Sequence, residues 1–97
     1  MKITELYQIG MARAALAMSR EELASKIGVS VTSIYLLESG KNNSEKLKQK
    51  IIDYLSWDEG IHFVNAGDEI TPDGAGVVVM NDDELKSYRL ANPKMSL

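Results

Sequence analysis

The sequence predicts a mainly α chain, a bundle of four to five helices closed by a short C-terminal β-hairpin and a tail. Three observations predict it. Apolar residues recur at three- and four-residue steps between Leu6 and Leu55, the spacing of one helical face. Between residues 20 and 40 two short helical stretches meet at Gly28, each preceded by a serine suited to cap it. After Gly60 the pattern changes to the alternation of a half-buried strand, Ile61-His62-Phe63-Val64.

The first helix is expected over residues 4–17, with Leu6, Ile9, Arg13 and Leu16 on its inward face and Gly10 weakening its middle. Ser19 with Glu22 three residues on is a capping box, and Leu23, Ala24 and Ile27 form the inward face of the helix it opens. Gly28 ends that helix in the left-handed conformation. Ser30 caps the next one, which turns Ile34 and Leu37 inward and stops at Gly40. Lys41-Asn42-Asn43 is a polar loop, and Ser44 caps a fourth helix reaching residue 55. Its inward residues are Leu47, Ile51 and Leu55, while Lys46, Lys48 and Lys50 fan around the outside and Trp57 covers the base of the bundle. The second strand is Val77-Val78-Val79-Met80, with turn sequences at 65–68 and 71–74 between the strands. Asn81 caps a last short helix over 82–90, with Asp82, Asp83 and Glu84 where acids suit the dipole, and Asn92-Pro93 ends it.

A chain of 97 residues, 44% apolar and 26% charged, is expected to form one modest core. Disulfides and thiolate metal sites are excluded because there is no cysteine. No apolar run reaches membrane-spanning length, and Met1-Lys2 is not followed by the apolar segment of a signal peptide, so the expected location is cytoplasmic. The net charge of −3 is segregated: residues 1–50 carry eight Lys/Arg against five acids, and residues 51–97 carry three against nine. A basic front half and an acidic back half suit a module that offers one face to phosphate.

Residue by residue, the first sixty positions resemble the lambda-repressor-like (XRE) helix-turn-helix family. The resemblance rests on Arg13, on S-R-E-E-L-A-S-K-I-G-V-S from Ser19 to Ser30, on Ile34, and on L-E-S-G from Leu37 to Gly40. It implies a helix-turn-helix DNA-binding domain over 1–60 and an extension, 61–97, whose hairpin looks like that of phage-like regulators. It also implies that Arg13 pairs structurally with Glu38 rather than with phosphate. Such units lay their second helix in the major groove of double-stranded DNA.

The family's base-reading positions map onto Val31, Thr32 and Leu36, with Tyr35 in reach of a base or a phosphate. None of these is Gln, Asn, Arg or Lys, so bidentate readout of adenine or guanine is missing. Thymine methyls and hydroxyl bonds remain, which predicts T-containing half-sites and reliance on DNA shape. Phosphate contacts are expected from Arg20, Ser30, Ser33, Lys41, Asn42 and Asn43, with Lys46 a further position. About three to five such contacts per subunit give a moderate salt slope, so useful affinity needs a homodimer. Ile61, Phe63, Val77, Val78 and Val79 are its expected dimerisation residues, because an isolated hairpin is marginal and a Val-rich edge invites pairing.

The expected function is therefore a transcriptional regulator of phage or mobile-element type, a repressor at a DNA operator. An antirepressor or toxin protein is the further partner considered. A helix-turn-helix antitoxin or adaptor that docks a protein through its C-terminal segment is the alternative. Catalysis has no support: His62 is the single histidine, Gly74-Ala75-Gly76 lacks the rest of a phosphate-cradling loop, and no cofactor or metal is implied.

Overall fold

The computed structural model describes residues 3, 5–65 and 75–93. Five helices and one hairpin follow in order. They are α1 (Tyr7–Ala15), α2 (Arg20–Ile27), α3 (Val31–Glu38), α4 (Glu45–Asp53), β1 (Ile61–Val64), β2 (Gly76–Val79) and α5 (Asp82–Ala91). A π-helical turn, Tyr54–Asp58, prolongs α4. Most of the turn sequence between the strands and the tail beyond Pro93 lie outside the described residues.

Local chemistry sets most boundaries. Serine caps open three helices, with Glu22 N donating to Ser19 Oγ at 3.0 Å, Ser33 N to Ser30 Oγ at 3.1 Å and Leu47 N to Ser44 Oγ at 3.1 Å. The capping box expected at α2 is half formed: the Glu22 carboxylate accepts a hydrogen bond from the Ser19 hydroxyl at 3.4 Å instead of reaching back to the Ser19 backbone. The complete box is at α5, between Asn81 and Glu84. Helix α1 is shorter than the 4–17 span its apolar spacing suggests. It stops at Ala15 because Ala17 turns left-handed (φ 52°) and Met18 N bonds back to Arg13 O at 2.8 Å.

The core joins α1 through α4 to the hairpin. Ile9, Ala12, Leu23, Ala24, Ile27, Ile34, Leu37, Ile51, Ile52 and Leu55 pack in one cluster with Ile61 and Phe63. Core membership therefore runs past residue 60, where the sequence suggested a boundary. The π turn, marked by the Glu59 N to Tyr54 O bond, keeps both Leu55 and Ser56 buried at the end of α4. The Tyr54 hydroxyl donates to Glu59 across this turn. Burial first, and that hydrogen bond second, push its pKa well above the ordinary tyrosine value.

The strands run antiparallel, with Ile61 opposite Val79 and Phe63 opposite Val77. Gln8, fully buried on α1, fastens the hairpin to the bundle. Its Nε2 donates to Val64 O at 2.9 Å, Gly76 O at 3.1 Å and Asn65 Oδ1 at 3.2 Å, while its Oε1 accepts from Glu5 N at 2.9 Å. Docking on the bundle is what supports a two-stranded sheet that would be marginal alone. Of the residues expected at a dimer contact, Ile61 and Phe63 lie inside the subunit at 0% and 2% exposure, and Val77 packs against the same core. Val78 and Val79 remain exposed.

Helix α5 buries none of its residues. A clasp at the base holds it. The Arg89 guanidinium lies 4.8 Å above the Trp57 ring, Arg89 Nε donates to Trp57 O at 2.9 Å, and Trp57 Nε1 donates to Asn92 O at 2.9 Å. Trp57 thus serves as the dock for α5 rather than as a plain lid. Leu85 lies against Gly60, where an added Cβ would stand 3.3 Å from Leu85 Cδ2.

Candidate nucleic-acid interface

Helices α2 and α3 share a tight turn. Gly28 sits at φ 73°, where a side chain would strain the backbone, and the N–H groups of Gly28 and Val29 both donate to Ala24 O, at 2.9 and 3.0 Å. The turn leaves Ile34 and Leu37 of α3 in the core. Val31, Thr32, Tyr35 and Leu36 then fall on the opposite face by helical geometry; the first three are exposed and Leu36 is half-buried. The four residues proposed to read bases therefore form one outward surface.

The proposed phosphate donors stand at both ends of this surface. The Ser30 and Ser33 hydroxyls lie 2.8 Å apart at the start of α3 and share one hydrogen bond, which leaves one of their two protons to give away. After Gly40 the chain turns back, Lys41 N and Asn42 N both donating to Leu36 O. Eight residues of helix put these two groups about 12 Å apart along the axis. Lys41 and Asn43 are exposed. Asn42 is half-buried with its Oδ1 accepting from Ser44 N at 3.0 Å, so the part of its amide left to meet a phosphate is the NH2 group. On α4, Lys48 is partnered by Glu45 at 2.8 Å, whereas Lys46 and Lys50 are exposed.

Behind the surface lies a two-cation, one-anion network. Arg13 grips Glu38 with a fork, Nε to Oε1 at 2.8 Å and Nη2 to Oε2 at 3.1 Å, and its Nη1 donates to Met18 O at 3.2 Å. The Glu38 side chain is only 8% exposed, so this bidentate pair satisfies a charge that burial would otherwise penalise. Arg20 joins the same carboxylate, its Nε 2.5 Å from Glu38 Oε2, and its guanidinium carbon lies 5.3 Å from the centroid of the Tyr35 ring. The hydrogen bond to Glu38 and the attraction of its charge raise the Arg20 pKa above the ordinary arginine value.

The Arg20 contacts and the Gln8 anchor escaped the sequence reading. Tyr35 and Glu38, three residues apart, share a helical face, which was the available hint that one cation could touch both. Gln8 gave no such hint, because its partners on the hairpin are more than fifty residues away.

Among the described residues, no group of three His, Cys, Asp or Glu is placed to hold a metal ion, and no helix is long and apolar enough to cross a membrane. No curated protein and no solved structure matches the chain. A family model described as helix-turn-helix matches residues 9–49, from the first turn of α1 to the middle of α4. The match over residues 9–49 supports an XRE-type, lambda-repressor-like helix-turn-helix and with it a DNA-binding transcription regulator.

Proposed function

We propose that the protein is a cytoplasmic, homodimeric repressor of phage or mobile-element type that binds a double-stranded DNA operator with α3 in the major groove. The observation that carries this reading is the division of α3 into two faces. Its inner residues, Ile34 and Leu37, are locked in the core, and its outer row of Val31, Thr32, Tyr35 and Leu36 is bounded at both ends by hydrogen-bond donors. Val31, Thr32 and Leu36 meet thymine methyls, Thr32 and Tyr35 add hydroxyl bonds, and Arg20, Ser30, Ser33, Lys41, Asn42 and Asn43 meet the backbone. The segment beyond residue 60 carries the dimer contact through Val78 and Val79, which are 39% and 54% exposed.

Selection of bound duplexes from a random pool tests the reading. The expected product is a pair of T-containing half-sites about one helical turn, or a multiple of it, apart. Val31→Gln should then change the preferred base rather than only weaken binding. A chain that sediments as a monomer at high concentration and prefers no duplex at low salt overturns the proposal.

A second reading, an antitoxin or adaptor, is favoured by the groove between the hairpin and α5, lined by His62, Val78, Met80, Asp83, Ser87 and Tyr88. Its apolar floor with an acidic rim suits a protein partner, a toxin or an antirepressor. Such a chain gains protease resistance on meeting that partner, whereas a repressor is a stable homodimer by itself.

A further inference from the structure

The outward face of α3 is held by contacts that a simple phosphate anchor does not need. Arg20 hydrogen-bonds Glu38 and covers the ring of Tyr35, so its planar guanidinium spans one turn of the helix. Its own anchor is rigid, since Glu38 is also gripped at two atoms by Arg13 on α1. Tyr35 remains 48% exposed at the centre of the outer row.

We propose that Arg20 is a positioning residue for base selection, holding the Tyr35 phenol in one orientation before DNA arrives. The inference rests on the DNA-binding reading and adds a division of labour to it. A tyrosine free to rotate on a helix surface must be ordered at the moment of binding, and it fits several bases almost equally well. A ring already stacked under a guanidinium offers its hydroxyl at one place, so a mismatched base leaves that hydroxyl without a partner. Arg20 is also a weak phosphate attractor for its type, because it shares its charge with Glu38. Its removal should therefore cost discrimination more than it costs charge-driven affinity. Lysine keeps the charge but cannot stack as a plane while bonding the carboxylate.

The test uses the full chain as wild type, Arg20→Lys, Arg20→Met, Tyr35→Phe and the Arg20→Lys/Tyr35→Phe double variant. Ring chemical shifts of Tyr35 in the free protein report the stack. Random-pool selection and the salt dependence of affinity report its consequence. Arg20→Lys should shift the Tyr35 ring signals and reduce discrimination about tenfold at the base position that Tyr35→Phe also affects. Its salt slope should stay within one ion of wild type, and the double variant should be no less selective than Tyr35→Phe alone. Arg20→Met should lose the same discrimination, which separates stacking from charge. Wild-type base preference in Arg20→Lys, or a uniform weakening in Arg20→Met with a salt slope lower by about one and no loss of discrimination, makes Arg20 a phosphate contact alone and overturns the inference. A wild type without any sequence preference overturns the DNA-binding reading and this role together, even where the ring shifts still report the stack.

Discussion

The front and back of this molecule are held together in different ways. In the front, α1 to α4 each place aliphatic side chains in one core, and serine caps with a left-handed glycine fix where three of them begin or end. In the back, the hairpin gives Ile61, Phe63 and Val64 to burial, while α5 buries nothing and hangs from Trp57, Arg89 and Leu85. Apolar burial supplies most of the stability of a small domain, so a helix held by a polar clasp is the part that opens at least cost. The front sets the outer row of α3 on a rigid base, and the back carries most of the chain's acidic residues. The hairpin belongs energetically with the front, although it follows the bundle in the chain.

Phe63→Ala tests that assignment most severely. Loss of a buried aromatic should cost about 3–5 kcal/mol of global stability in a urea titration. An unchanged midpoint would make the hairpin a detachable arm and support a division at residue 60. Gln8→Ala comes next, at about 2–3 kcal/mol, because it strands the buried carbonyl of Val64 and the half-buried one of Gly76. Hydrogen exchange should show β1 and β2 losing protection together in that variant.

Tyr54 sits where front meets back. Its folded-state pKa is raised above the unfolded value near 10, so the stability it contributes is complete below pH 10 and is lost as pH rises toward the folded value. Tyr54→Phe should cost about 1 kcal/mol at neutral pH and should fall less steeply than wild type above pH 10. Parallel alkaline slopes would contradict the raised value. The smallest effect is expected from Arg89→Ala. It should release α5, with helicity falling by roughly one short helix and less than about 1 kcal/mol lost from the global transition. In wild type, α5 amides should already exchange faster than those of α1–α4.

The parts of this structure that could be read from residue order are those decided within a few residues. Ser19, Ser30, Ser44 and Asn81 cap helices because a short side chain reaches a backbone N–H two or three positions on, wherever the chain goes next. Gly28 ends α2 for a similarly local reason, and helical periodicity alone put Ile34 and Leu37 opposite Tyr35 and Leu36. Periodicity was less informative at α1, where Leu6 and Leu16 are half-buried and the buried polar residue is Gln8. Alternation at Ile61–Val64 and an apolar run at Val77–Met80 identified two strands without saying what the hairpin's apolar face would cover. A second copy of the chain and the chain's own α1 are equally consistent with such a pattern.

The sequence by itself thus determined the helices, their caps, the turn at Gly28 and the segregation of charge, all of which depend on neighbours along the chain. Tertiary structure alone decided that Phe63 and Ile61 complete the subunit's core, that Gln8 ties the hairpin to α1, and that Arg20 reaches both Glu38 and Tyr35. Each of these brings together groups from separate elements, and their energy depends on distances that no local preference encodes.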